Sequence, residues 1–243
     1  MSERIWIMGA SEGIGAALAK AWADRGARLI LSARSADRLT ELAGQLGGRA
    51  EIIACDVTDR DSLARAAEQI AAGGGLDRAV TLAALYDPGK VMQIDPDRAG
   101  QIVTVNLTGC FNFARAAVPL LRQGGQLALT GSVAGYLGLP QGQIYSATKA
   151  GVINLAESLR SELSPDVDVR LISPGFVATR LTEKNDFQMP ALMQPEEAAQ
   201  AIIAGLDRRG FEVHFPRRLT LPLKLLRALP YGLALRLTRR LVT

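Results

Sequence analysis

The sequence predicts a single α/β domain built on a doubly wound, seven-stranded parallel sheet with helices on both faces. Two observations predict it. Short aliphatic segments alternate with longer segments whose apolar residues recur every three or four positions, and this alternation runs without a change in composition to about residue 210. The 243 residues are also 48% hydrophobic, which is enough for one full core. We therefore expect a domain over residues 1–215 and a basic, amphipathic C-terminal extension over residues 216–243.

The elements follow in order from these patterns. Strands are predicted from short runs of β-branched and aliphatic residues at Arg4–Met8, Arg28–Ser32, Glu51–Cys55, Ala79–Leu82, Gln126–Thr130, Val167–Ile172 and Glu212–Phe215. Helices are predicted where the three- and four-residue spacing recurs, and several of them end at a glycine. They are Gly13–Arg25, Ala36–Leu46, Arg60–Ala72, Ala99–Arg122, Ile144–Leu163 and Pro195–Arg208. Each helix then connects two parallel strands.

The scarcity of soft metal ligands excludes several kinds of site. The chain has two cysteines, Cys55 and Cys110, and one histidine, His214. These are too few for a structural zinc site, and a Ser-His-Asp triad would have to use His214, so we expect no metal. The sequence shows neither a secretory signal nor an apolar run of about 20 residues. We expect a cytoplasmic protein with both thiols reduced.

The excess of basic over acidic residues lies at one end of the chain. Residues 211–243 hold seven basic residues and one acidic residue, which gives this segment a net charge of +6. The rest of the chain has a net charge of −2, and the two add to the +4 of the whole protein. The basic isoelectric point therefore describes the extension, and we expect no nucleic-acid partner.

The first predicted strand ends in a glycine-rich turn, Gly9-Ala10-Ser11-Glu12-Gly13-Ile14-Gly15. Glycines let the chain turn tightly and let a pyrophosphate approach the amides at the start of the following helix. The spacing differs from the commoner Gly-x-Gly-x-x-Gly loop, and a glycine turn can also be plain punctuation between a strand and a helix. Its place at the first strand–helix junction favours cofactor binding.

The second predicted strand ends near Arg34, where an NAD site would place an acid for the ribose 2′-hydroxyl. A guanidinium suits a 2′-phosphate instead, so NADP(H) is favoured over NAD(H). The alternative is that Arg34 is only a solvated residue after a strand.

Three polar residues in the second half of the chain have a spacing that suits acid–base chemistry. Tyr145 and Lys149 are four residues apart, so they share one face of a predicted helix, and Ser132 lies 13 residues before Tyr145. Taken alone, the Tyr-Lys pair could be a surface contact.

Taken together, these motifs resemble the short-chain dehydrogenase/reductase family across roughly residues 4–215. The matching positions are the Gly9/Gly13/Gly15 loop, Asp56-Val57, Asn106, Ser132, Tyr145-Ser146-Ala147-Thr148-Lys149 and Pro174-Gly175-Phe176-Val177-Ala178-Thr179. Two positions depart from the family pattern. Met8 stands where the family has threonine, and Thr81-Leu82-Ala83-Ala84 stands where it has Asn-Asn-Ala-Gly.

The resemblance implies a Rossmann-type fold and a site for catalysis and cofactor. The implied catalytic residues are Asn106, Ser132, Tyr145 and Lys149: Tyr145 exchanges the proton, Ser132 bonds the substrate oxygen, Lys149 lowers the pKa of Tyr145, and Asn106 supports a relay water. The implied cofactor-binding residues are Gly9, Ser11, Gly13, Ile14, Gly15, Arg34, Asp56, Val57, Ala83, Tyr145, Lys149, Pro174, Gly175, Val177 and Thr179. It also implies a homodimer or larger homo-oligomer, paired through Ala99–Arg122 and Ile144–Leu163, where Ala147, Ala150 and Gly151 are small enough for close approach.

The extension and the substrate leave alternatives open. Leu233, Leu237 and Leu241 are four apart, with Arg236, Arg239 and Arg240 turned away, which suits a helix on an anionic membrane and equally a helix packed on the body. Apolar residues in the segment from Arg180 to Gln194 predict a lid over an apolar or lipid-like substrate. The protein is then an NADP(H)-dependent oxidoreductase acting on a small-molecule carbonyl or secondary alcohol, or else a cofactor-binding regulatory or membrane-associated scaffold. The set Ser132, Tyr145 and Lys149 favours the enzyme.

Overall fold

The computed structural model describes residues 2–239 and confirms the doubly wound α/β architecture. Its sheet has seven parallel strands in the order β3-β2-β1-β4-β5-β6-β7. The strands are β1 (Arg4–Met8), β2 (Arg28–Ser32), β3 (Ala50–Ile52), β4 (Leu76–Thr81), β5 (Leu121–Thr130), β6 (Asp168–Pro174) and β7 (Glu212–Phe215). The first, second and last strands have the predicted bounds.

Nine α-helices lie within residues 2–239. They are α1 (Gly13–Asp24), α2 (Ala36–Gly44), α3 (Arg60–Ala72), α4 (Pro96–Val103), α5 (Gly109–Ala117), α6 (Gln143–Leu163), α7 (Pro195–Leu206), α8 (Arg217–Ala228) and α9 (Tyr231–Arg239). Helices α1, α2 and α7 share a core with one face of the sheet, and α3, α5 and α6 share a core with the other. Strand β1 supplies both cores in alternation, since Ile5 and Ile7 face the first and Trp6 and Met8 the second. None of the described helices is both long enough and apolar enough to span a bilayer.

The predicted helix Ala99–Arg122 is confirmed as one helical segment from Pro96 to Leu120, with two departures from regular α-helix. A π-helical turn at Thr104–Thr108 separates α4 from α5, and a 3₁₀ turn at Val118–Leu120 ends the helical segment. Pro119 lies inside that last turn, and Leu121 already pairs with Leu76 as the first residue of β5. The strand β4 also begins earlier than predicted, at Leu76, because the polar residues Asp77 and Arg78 are part of it.

The strand order of the sheet reverses direction between β1 and β4. The segments that follow these two strands lie against each other. Gly9 has a φ of +87°, and a Cβ on it would lie only 2.6 Å from the backbone nitrogen of Ala83. Only glycine fits this position. In doubly wound sheets, the crevice at such a reversal is where ligands bind.

The first helix of the extension is fixed to the body. Lys224 donates a hydrogen bond to Glu212 of β7, and the Thr220 hydroxyl lies 2.6 Å from Nδ1 of His214. Leu219 and Leu223 pack against the second core. Helix α9 buries Ala234 and Thr238, whereas Leu233 and Leu237 are exposed, so the alternative that packs these leucines on the body is wrong and the membrane alternative stays a prediction. The predicted positions Arg240 and Leu241 lie outside the described residues.

Candidate active site

A cavity of about 1180 Å³ lies at the carboxyl ends of the central strands. The glycine-rich turn after β1 and the segments after β2, β4, β5 and β6 form its walls. Helix α8 closes one side with Leu219, Pro222, Leu223 and Leu226. The cavity is large enough for a dinucleotide together with a small molecule.

The glycine-rich turn is packed so closely that its glycines cannot be replaced. A Cβ on Gly15 would lie 2.1 Å from the carbonyl oxygen of Gly9, and a Cβ on Gly13 would lie 3.0 Å from Cγ2 of Thr179. No side chain caps the start of α1, which begins at Gly13, so the first amides of this helix stay available. The turn therefore presents free N–H groups and the positive end of a helix to the cavity.

Arginines surround the end of the cavity beyond β2. Arg34, Arg38 and Arg180 all line it. The Glu12 carboxylate accepts hydrogen bonds from Arg38 at 2.6 Å and from Arg180 at 3.1 Å, whereas Arg34 forms no ion pair within residues 2–239. The cluster thus keeps a net positive charge, with the guanidinium of Arg34 free to bind an anion.

Ser132 and Tyr145 come from different elements and meet in the cavity. Ser132 precedes the 3₁₀ turn Val133–Gly135, and its hydroxyl accepts a hydrogen bond from the Ala134 amide at 3.1 Å. Lys149 lies one turn beyond Tyr145 on α6, with its Nζ 5.7 Å from the centre of the Tyr145 ring. Its ammonium donates to the carbonyl oxygen of Thr130 at 2.8 Å, which fixes the side chain.

Burial dominates the ionisation of these two groups. Burial raises the pKa of the Tyr145 phenol to about 12, although the Ser132 hydroxyl acts in the opposite direction. Burial also lowers the pKa of the Lys149 ammonium to about 8. The expectation that Lys149 lowers the pKa of Tyr145 stays a prediction, because burial of the phenol is the largest influence on its pKa in this structure.

Asn106 is the one predicted site residue that does not line the cavity. It is fully buried, its Oδ1 accepts from the Leu85 amide at 2.7 Å, and its Nδ2 donates to the Leu85 carbonyl at 2.9 Å and to Oγ1 of Thr148 at 3.2 Å. The Asn106 side chain therefore ties the π-helical turn to the segment after β4 and to α6.

The other predicted residues all line this one cavity, although they come from seven separate parts of the chain. They are Gly9, Ser11, Gly13, Ile14, Gly15, Arg34, Asp56, Val57, Ala83, Ser132, Tyr145, Lys149, Pro174, Gly175, Val177 and Thr179. The model for the short chain dehydrogenase family matches residues 3–189. The chain belongs to the short-chain dehydrogenase family.

Relatives and solved structures agree with this assignment. An uncharacterized oxidoreductase of Myxococcus xanthus is 35% identical over 97% of this chain and 96% of its own length. A short chain dehydrogenase from Burkholderia cenocepacia, solved in complex with NADP, is 28% identical, with a TM-score of 0.86 over 97% of each chain. A short-chain dehydrogenase from Sphingobium yanoikuyae, solved in complex with NADPH, is 28% identical, with a TM-score of 0.81 over 92% of each chain.

Two features of this site are not predicted by the sequence. Tyr86, in the segment after β4, lines the cavity and donates a hydrogen bond to Oδ1 of Asn185 at 2.8 Å. Helix α8 was assigned to the extension, although its inner side forms a wall of the site. The sequence predicts an amphipathic extension here but not what its apolar residues contact.

The predicted lid crosses the cavity between β6 and α7 and is attached at several points. Its end is held by hydrogen bonds from Ala178 to Met193 at 2.9 Å and from Met193 to Phe176 at 3.0 Å. Lys184 in its middle pairs with Asp87 at 3.1 Å. Of the apolar lid residues expected over the site, Leu181 and Phe187 line the cavity, and Met189, Leu192 and Met193 do not.

Proposed function

We propose that the protein is an NADP(H)-dependent oxidoreductase that transfers hydride between nicotinamide and a carbonyl compound or secondary alcohol. One observation carries the proposal: Ser132, Tyr145 and Lys149 share a single cavity with the glycine-rich turn. A protein that only bound a cofactor would have no need of a buried phenol, hydroxyl and ammonium at one point.

The residues present fit a dinucleotide. The tight Gly9–Gly15 contact leaves room for a phosphate beside the uncapped amides of α1, and Asp56 and Val57 line the adenosine end. Arg34 is placed to bind a 2′-phosphate, with Arg38 beside it. The solved relatives that carry NADP and NADPH support the same choice of cofactor.

Bound NADP(H) would supply the hydride in reduction and accept it in oxidation. In reduction, the Tyr145 phenol donates its proton to the carbonyl oxygen, and the Ser132 hydroxyl donates a hydrogen bond to the same oxygen as negative charge develops there. Because burial holds the pKa of Tyr145 at about 12, the phenol keeps its proton at neutral pH and is ready to donate it.

Lys149 and Asn106 act around this proton transfer. The Lys149 ammonium, fixed by Thr130, is positioned to bind the nicotinamide ribose and to stabilise the phenolate that forms when Tyr145 gives up its proton. Asn106 acts as a positioning residue, since its amide holds the Leu85 backbone and the Thr148 hydroxyl behind the reacting groups.

The substrate side of the cavity favours an apolar molecule. Leu139, Phe176, Phe187 and the apolar inner side of α8 line it. The Phe176 and Phe187 rings meet edge to face, with their centroids 5.7 Å apart, and add aromatic surface to this side. A lipid-like carbonyl compound or alcohol fits these walls better than a sugar or an amino acid.

The proposal includes a cytoplasmic homodimer or larger homo-oligomer. Ala147 and Ala150 are exposed on α6, and Phe111 is exposed on α5, which leaves an uncovered helix pair with small and apolar residues. Gly151, also expected at this contact, packs instead against Leu107 of its own chain.

The decisive test is a screen of aldehydes and ketones that follows the absorbance of NADPH. We expect turnover of apolar carbonyl compounds, and Tyr145→Phe lowers kcat by about 10²–10⁴-fold while NADPH still binds. Tyr231→Phe, an exposed tyrosine on α9, is the matched control and keeps full activity. NADPH binding with no turnover of any compound would favour the scaffold function over the enzyme.

A further inference from the structure

The C-terminal extension leaves several large apolar side chains in solvent. Within 17 residues, six large apolar side chains are exposed: Leu221 and Leu225 of α8 and Tyr231, Leu233, Leu235 and Leu237 of α9. Leu225 and Tyr231 leave 68% and 78% of their surfaces uncovered. Single exposed leucines are ordinary in a folded protein, but a cluster of this density marks an interaction site.

Basic residues are interleaved with these side chains, and the described structure does not neutralise them. Arg217, Arg218, Arg227, Arg236 and Arg239 are all exposed, and none of them forms an ion pair within residues 2–239. The sequence has no acidic residue from 213 to 239. We call the six apolar residues and five arginines the basic-leucine surface.

We propose that the basic-leucine surface docks on an anionic lipid membrane. A bilayer of this kind offers phosphate and carboxylate groups to the arginines and, directly beneath them, acyl chains to the leucines and to Tyr231. Helix α9 has nine residues and α8 has twelve, so each lies along the interface and cannot cross the bilayer.

A second copy of this chain fits the surface less well. A two-fold contact would place the same five arginines opposite one another. The remainder of the chain, outside residues 211–243, carries a net charge of only −2 to offset them. A neutral apolar groove would cover the leucines and leave the arginines unpaired. An anionic membrane provides apolar partners for the leucines and negative charges for the arginines.

The docking surface borders the active-site cavity, which connects it to the proposed function. Arg218 and Pro222 are exposed and also line the cavity, so they form its rim beside Leu221 and Leu225. On the inner side of the same helix, Leu219, Leu223 and Leu226 line the interior. A docked protein therefore holds the cavity mouth at the lipid surface, and its substrate is a membrane-borne carbonyl compound or alcohol. This last step rests on the proposed function.

The test is sedimentation of the full-length protein with vesicles. We expect binding to equimolar phosphatidylserine and phosphatidylcholine, none to pure phosphatidylcholine, and a steep loss of binding as salt is raised. Arg236→Gln with Arg239→Gln should weaken binding by about 30-fold. Arg60→Gln with Arg65→Gln removes the same charge from exposed, unpaired positions on α3 and should leave binding unchanged. Leu221→Gln with Leu225→Gln should abolish binding.

Activity assays on the same proteins separate the two proposals. We expect the leucine double variant to reduce a water-soluble carbonyl compound like the parent and to lose turnover of a long-chain aldehyde held in vesicles. Parent protein that fails to bind anionic vesicles, or binds neutral ones equally, overturns docking even where the soluble compound is reduced. A self-association broken by the leucine variant, without vesicle binding, assigns the surface to a second copy. Vesicle binding without turnover of any carbonyl compound overturns the proposed function and leaves docking intact.

Discussion

Tyr86 lies edge-on against Tyr145, with the ring centroids 4.8 Å apart and the planes at 66°. The same Tyr86 donates its hydroxyl hydrogen to Asn185 of the lid. One side chain thus connects the acid–base residue to the segment that covers it. We therefore expect the position of the Tyr145 ring to depend on the position of Asn185.

Two substitutions at Tyr86 separate its ring from its hydroxyl. Tyr86→Phe keeps the edge contact and loses the bond to Asn185, so we expect kcat within about threefold of the parent and a raised KM, since that bond is a single neutral one. Tyr86→Leu also loses the aromatic contact, which is worth about 1 kcal/mol, so we expect kcat to fall about fivefold. Steady-state kinetics check both predictions. Equal kcat values for the two variants would show that the ring contact does not affect catalysis.

Cofactor preference should depend on Arg34. The Arg34 guanidinium is unpaired within residues 2–239, whereas Glu12 holds both Arg38 and Arg180. We expect Arg34→Ala to weaken NADPH binding by about 10- to 100-fold, the worth of a charge-assisted pair, and to change NADH binding by less than about threefold. Fluorescence titration with both cofactors measures this, and Arg65→Ala on α3 is the control. A parent protein that binds NADPH and NADH equally tightly contradicts the prediction.

The sequence predicted most of the site because its signals are local. The glycine turn and the residues after β2 and β6 each follow a strand end, and parallel strands bring their carboxyl ends to one edge. The Tyr-Lys pair is local in another way, since its two residues lie four apart on α6. It could not predict the π-helical turn at Thr104–Thr108, since apolar residues keep a helical spacing on both sides of it.

Contacts between residues that are far apart in the sequence could not be predicted. The Asn106 side chain forms hydrogen bonds with the backbone of Leu85. Because every residue has these backbone groups, the sequence does not show which one Asn106 contacts. The role of Leu219, Leu223 and Leu226 as a cavity wall depends on where α8 docks, and their spacing is the same for any apolar surface. The spacing of Leu233 and Leu237 predicted that they share one face of a helix. It could not predict that Ala234 and Thr238 would be the buried residues of α9.

The buried Lys149 ammonium should make the protein more stable in alkali. Its pKa is about 8 in the folded protein against 10.5 ordinarily, so the folded state binds fewer protons between these values. This destabilisation is complete below pH 8 and is relieved as the pH rises toward 10.5. Lys149→Met removes it, so at pH 7 we expect a gain of about 2 kcal/mol in the free energy of unfolding after the loss of the Thr130 hydrogen bond.

Urea denaturation of the parent and Lys149→Met at neutral and alkaline pH measures this gain. The difference between the two proteins should shrink as the pH rises, while the variant loses activity at every pH. Lys20→Met, at an exposed position on α1, should change stability by less than about 0.5 kcal/mol at either pH. A Lys149→Met variant that is less stable than the parent at pH 7 would show that the ammonium stabilises the fold.

The ion pair between Lys224 and Glu212 should fix α8 as a wall of the site. Burial alone would raise the pKa of Glu212, but hydrogen bonds from Lys224 and Tyr136 hold it below its ordinary value. A carboxyl whose pKa is depressed by folding contributes stability at neutral pH, and this contribution is lost as the pH falls through the folded-state pKa.

Removing the cation exposes what this pair contributes. Lys224→Met leaves the half-buried Glu212 carboxylate without its cation, and we expect a loss of about 1–2 kcal/mol at pH 7, reduced from the value for a fully buried pair because Lys224 is partly solvated. The loss should shrink on acidification, as Glu212 takes up a proton in both proteins. Lys184→Met, which breaks the more exposed pair with Asp87, should cost less than about 1 kcal/mol.

Because α8 lines the cavity, Lys224→Met should also raise KM for apolar carbonyl compounds more than it lowers kcat. Urea denaturation across pH, combined with Glu212→Gln in a double-mutant cycle, measures the coupling, and additive losses would show that α8 is held by its leucines alone.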